Sequence, residues 1–175
     1  MTTPAGSSQP FTDRDMRILV ELYETKPVPG QLRVTPWTWA ALTNDTAAAL
    51  SRLIDQWVHY YNYTHAVTPK ELVPPCWSRH HGLAHRLAVM AWAYYYSHHD
   101  PSATPFMAAD YHARYLSGFR TDLDRLLGRD PMACRAGDHP KTWRSTTDEQ
   151  ADRYTVVDAT GELGPLMAQH FGFLP

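Results

Sequence analysis

Apolar residues recur at helical spacing in four stretches of the chain. Met16, Leu19, Val20 and Tyr23 form the first, and Thr12 before them is a helix N-cap with Asp13 and Asp15 in the first turn. This predicts a helix from about Asp13 to Glu24, stopped by Lys26-Pro-Val-Pro-Gly30. Leu50, Leu53, Ile54, Trp57, Val58 and Tyr61 predict a second helix over 45–63, capped by Thr43 or Asn44. Leu83, Leu87, Met90, Ala91 and Tyr94 predict a third, with Ser78 as its cap and an end near Ser97. Thr104-Pro105 opens a fourth that runs to Leu127, with Gly118 loosening its middle and Gly128 as a left-handed cap.

The intervening segments read differently. Pro36-Trp37-Thr38-Trp39 predicts an extended or single-turn segment whose tryptophans pack on the helices. Thr68–Pro75 is a proline-bounded connector, and His98-His99-Asp100-Pro101 reads as the end of the third helix. After Gly128 the periodicity stops: 130–150 is polar, Tyr154–Val157 suits a short strand, and Pro165–Phe171 a last helical turn. The expected organisation is a disordered leader over 1–10, a helical bundle over 11–128, and an irregular extension over 129–175 packed on it. The fold class is all-α: an antiparallel bundle of three to four helices with an irregular C-terminal extension.

Composition narrows the function classes. The 175 residues include 43% hydrophobic and 19% charged, a globular balance for one domain. The net charge of −2 offers neither a basic field for nucleic acid nor a basic run for a membrane surface. Arg120, Arg125 and Arg129 alternate with Asp122, Asp124 and Asp130, as on a solvated helix face. The longest apolar run, Leu87–Tyr96, is too short to span a bilayer. Met1–Pro10 lacks the features of a secretory signal, so the expectation is a cytoplasmic protein with no membrane contact and reduced thiols.

Two cysteines stand beside histidines, as Cys76-x3-His80 and Cys134-x4-His139. Cys76, His80, Cys134 and His139 are the candidate metal ligands, because thiolate and imidazole in fours suit structural zinc. Antiparallel third and fourth helices would return the residues after Gly128 to the start of the third. On spacing alone the plainer reading stands ahead: Cys76 as a small buried hydrophobe and His80 as an ordinary cap-region side chain. Zinc modules more often pair cysteines as Cys-x2-Cys. His81 and His85 have the spacing of a paired-histidine zinc hydrolase, but Gly82 stands where the catalytic glutamate belongs. No serine-hydrolase, P-loop or dinucleotide signature is present. A Cys76–His80 nucleophile pair lacks a separate orienting carboxylate or amide.

Pro75-Cys76-Trp77-x-x-His80, the helix through Trp92, Tyr111-His112 and the closing Cys134-x4-His139 follow one another in a distinctive order. Over about residues 37–140 the chain resembles a family of small actinobacterial proteins, a domain of unknown function encoded on plasmids, phages and integrating conjugative elements. The Trp57-Val58 helix fits the same pattern. The resemblance implies a helical accessory protein of a mobile genetic element, and supplies no activity and no ligand set. The leading expectation is a non-enzymatic interaction protein with a protein partner, in keeping with its abundant Trp and Tyr. The second is a DNA-associated regulator using Arg114, Arg120, Arg125, Arg129, Arg135, Lys141 and Arg144. It ranks lower because a near-neutral chain gains little from counterion release. A small zinc-stabilised module is the third.

Overall fold

The computed structural model describes residues 12–30 and 33–138. Helices dominate, and no strand occurs among the described residues. The expected leader, the strand at Tyr154–Val157 and the turn at Pro165–Phe171 lie outside them.

α1 spans Asp13–Glu24. Thr12 caps it: its hydroxyl accepts from the Asp15 amide, and Asp15 reaches back to the Thr12 amide at 3.1 Å. This reciprocal pair satisfies two amides that have no partner inside the helix. Asp15 is buried and also receives Arg52 Nε at 2.9 Å, which clamps α1 to α2. α2 spans Asn44–Thr64 with Thr43 as its cap. Its stripe of Leu50, Leu53, Ile54, Trp57, Val58 and Tyr61 is buried, as the periodicity predicts.

α3, His81–His98, is buried on more than the one predicted stripe: Ala84, Ala88 and Trp92 join Leu83, Leu87, Met90 and Ala91 in the core. The reason is its central position, since it packs against α2 and against the helical stretch that follows it. Its cap is His80, not Ser78. A single 3-10 turn, Trp77–Arg79, carries the chain from Pro74-Pro75 into the helix, so Ser78 falls inside that turn.

The fourth helical stretch is continuous from 105 to 127 but changes pitch. α4 (Pro105–Asp110) passes into a π-helical turn (Tyr111–Leu116) and then α5 (Ser117–Leu127). The loosened segment therefore precedes Gly118. Gly128 ends α5 at φ +89°, a positive value as predicted, with ψ −141° rather than the left-handed helical value. The Trp37-Thr38-Trp39 segment forms a 3-10 turn at Trp39–Ala41, and Trp39 Nε1 donates to the Ala84 carbonyl at 3.3 Å.

The polar stretch after Gly128 is not wholly irregular. Pro131–Ala136 forms α6, with Asp130 accepting from the Ala133 amide and Gly137 closing it in the left-handed region. Arg135 ties α6 down, its Nε donating to the Leu72 carbonyl at 3.0 Å and its Nη2 to Asp124 at 2.6 Å.

Candidate metal centre

Pro74 and Pro75 deny the chain a helix before Cys76. The 3-10 turn follows: the Arg79 amide bonds the Cys76 carbonyl at 2.9 Å and the His80 amide bonds that of Trp77 at 3.1 Å. Trp77 anchors the turn, buried and donating its indole N–H to Asp55 at 3.0 Å. One turn of this pitch sets Cys76 Sγ 3.7 Å from His80 Nε2.

Cys134 comes from α6, 54 residues after His80. Its sulfur lies 3.4 Å from the same His80 nitrogen, and Cys76 Sγ lies 3.8 Å from the Cys134 carbonyl oxygen. The two sulfurs and a His80 ring nitrogen all fall within 4.8 Å of one another, close enough to hold one metal ion. His80 is 6% exposed and Cys134 1%. Neither cysteine is in a disulfide.

Of the four sequence-predicted ligands, three meet and the fourth, His139, lies outside the described residues. His81 and His85 do not join them: both sit on the exposed face of α3. What sequence reasoning missed is the support for the site. Arg135, next to Cys134, bridges α6 to Leu72 and Asp124, and nothing in its local pattern signals that.

Burial pushes the Cys134 thiol up to about 11, with neighbouring Cys76 adding to the effect. Burial also raises Cys76, partly offset by its contact with Cys134. Both are therefore thiols, not thiolates, in the metal-free chain at neutral pH. A nucleophilic cysteine needs the opposite shift. A divalent cation at this position would reverse the balance, because its charge stabilises both thiolates. A set of two sulfurs and an imidazole is a soft donor type that suits thiophilic metals such as zinc.

The arginines of the fourth helical stretch are engaged elsewhere. Arg114 pairs with Asp110 at 2.6 Å, Arg120 with Glu71 at 2.6 Å, and Arg125 with Asp122 at 3.2 Å. Each guanidinium already faces a carboxylate, so this face presents little net positive charge to a phosphate backbone. Lys141 and Arg144 lie outside the described residues. No helix among the described residues is long and apolar enough to cross a membrane. No family model, curated protein or solved structure matches the chain, so the reading of the site rests on its own geometry.

Proposed function

We propose that this chain is a non-enzymatic helical module whose C-terminal segment is fastened by structural zinc. Cys76, His80 and Cys134 hold the ion, and His139, five residues after Cys134, is the fourth ligand. One observation carries the reading: two sulfurs and an imidazole from segments 54 residues apart converge, with His80 and Cys134 buried and Cys76 half-buried. Thiolate and imidazole donors gathered this closely are the set one zinc ion takes. A closed set of four leaves no position for substrate, which favours a structural over a catalytic role.

The module serves as an accessory or protein-interaction protein, and its setting is the actinobacterial mobile element that the sequence resemblance implies. Tyr63, Val67 and Phe106 support this part of the reading, being large apolar side chains more than four-fifths exposed on a chain with a well-filled core. Two cysteines so close together and not joined in a disulfide accord with a reducing, cytoplasmic setting.

The experiment is zinc analysis of the purified full-length protein, with and without Cys134→Ser. We expect about one zinc per chain in the wild type and a near-complete loss in the variant. Folded, stable wild-type protein with less than about a tenth of an equivalent would end the zinc reading. For the interaction reading, capture experiments should recover a defined protein partner. A reproducible turnover activity with no partner would overturn it.

A further inference from the structure

Two histidines meet at the opposite end of α3, about 27 Å along the helix from His80, with a third beside them. His98 is the last residue of α3, His112 belongs to the π-helical turn, and His65 caps the C-terminus of α2. His98 Nε2 and His112 Nε2 stand 3.2 Å apart. The His112 ring lies 5.4 Å from that of His65. The Nε2 atom of His65 is buried and has no hydrogen-bond partner.

The proton on His98 can be placed from its neighbours. Nδ1 lies 2.8 Å from Ser97 Oγ and 3.1 Å from the Tyr94 carbonyl. The carbonyl can only accept. The Ser97 hydroxyl already donates to the Ala93 carbonyl at 2.7 Å, so it too accepts from His98. Nδ1 therefore carries the hydrogen, and Nε2 of the neutral ring presents a lone pair toward His112. In the metal-free chain that lone pair accepts a hydrogen bond from His112 Nε2 at 3.2 Å, and an imidazole whose other nitrogen donates to a carbonyl is oriented as histidine ligands usually are, so a metal would take the place of the shared proton. Tyr94 stacks on the His98 ring at 4.2 Å and Tyr111 meets both rings edge-on, which fixes their planes.

The π-helical turn is the second observation. Its hydrogen bonds are poorer than those of an α-helix, and such turns are frequent at functional sites because they re-aim side chains. Here it interrupts a helix with no proline in the turn, and it is the segment that presents His112. The nitrogen separation also fits. Two ligands at about 2.0–2.1 Å from a tetrahedral zinc lie about 3.3 Å apart.

We propose that His98 and His112 form a second, open-sided metal site that takes an imidazole-preferring divalent ion, zinc or nickel, with His65 as the neighbouring third imidazole. Magnesium and calcium are excluded by the donor type, since no carboxylate contributes. Among the described residues only Cys76, His80 and Cys134 form a full three-donor group, so the histidine site is a two-nitrogen chelate with free coordination positions. It differs from the buried centre in kind: exchangeable, and open to solvent ligands. Bound metal would join the end of α3 to the π-helical turn.

The test is calorimetric titration of the full-length, zinc-replete protein with further Zn²⁺, and with Ni²⁺ as a separate probe. We expect a second, weaker binding event in the wild type. It should vanish in His98→Ala and in His112→Gln and persist in His99→Ala, which removes an exposed neighbour. Circular dichroism establishes that each variant is folded. In the wild type, the ring ¹⁵N resonances of His98 and His112 should shift on adding zinc, a readout that needs no substitution. Absence of any second event, or an undiminished one in His98→Ala, overturns the proposal. The outcome is separable from the fate of the Cys76–His80–Cys134 centre, because the histidine-dependent event should also survive Cys134→Ser.

Discussion

The indole N–H of Trp57 donates to the Tyr111 hydroxyl at 2.9 Å in the middle of the core. Tyr111 in turn donates to the Met90 carbonyl, 3.4 Å away. Three helical stretches are thus joined by one buried polar chain, and burial holds the Tyr111 hydroxyl well above the ordinary tyrosine range. Tyr111→Phe leaves the Trp57 N–H buried without a partner, which should destabilise the fold by about 1–3 kcal/mol. Urea denaturation measures it, with an unchanged slope showing that the same surface is exposed. A loss below about 0.5 kcal/mol would mean the chain contributes only packing.

Zinc binding should release protons. In the metal-free protein burial keeps both Cys76 and Cys134 protonated at pH 7, and Cys134 titrates only at about 11. Two thiols must deprotonate to become ligands, so affinity should rise with pH, by about a hundredfold per unit while both remain protonated. Titration in buffers of different ionisation enthalpy counts the protons. A count near zero would show that the thiols are not the ligands.

Acid should weaken the α1–α2 clamp. The Arg52 hydrogen bonds, helped by those from Thr12 and opposed by burial, lower the Asp15 carboxyl from 3.8 to about 2. A lowered carboxyl stabilises the fold fully above its unfolded value, and that stability fades as pH falls from about 4 toward 2. Arg52 is 31% exposed, which tempers the pair, so about 1–2 kcal/mol is at stake. Asp15→Asn should flatten the stability profile over this window. An unchanged acid slope in the variant would place the sensitivity elsewhere.

Gly128 and Gly137 should not respond alike to alanine. Gly128 has φ +89° and ψ −141°, close to a region only glycine occupies comfortably, whereas Gly137 at φ +79° and ψ 9° is in the left-handed helical region. Space is open around both. The backbone alone should then make Gly128→Ala cost about 1–3 kcal/mol and Gly137→Ala about 1 kcal/mol. Thermal melts of the two variants give the ordering, and the reverse order would refute this account.

The helices were legible in the sequence because their signals are local. Thr12 and Thr43 cap, Leu50 to Tyr61 mark one stripe, and Gly128 needs its positive φ; each acts within a turn or two of itself. The Cys76–His80 half of the candidate site was legible for the same reason, since four residues span a single turn. Cys134 was expected beside them from the antiparallel return of the chain after Gly128, but what fixes it there is tertiary. α6 is held by Arg135 against Leu72, 63 residues earlier, and no spacing rule reaches that far. The His98–His112 pair was hidden more deeply. His98 reads as a helix end, and the π-helical turn shifts the phase of every side chain after it, so the 3.6-residue period misplaces His112. Periodicity reports which face of a helix is apolar. Which side chains of two helices meet depends on the packing between them, and on irregularities of pitch whose energetic advantage exists only once the core has formed.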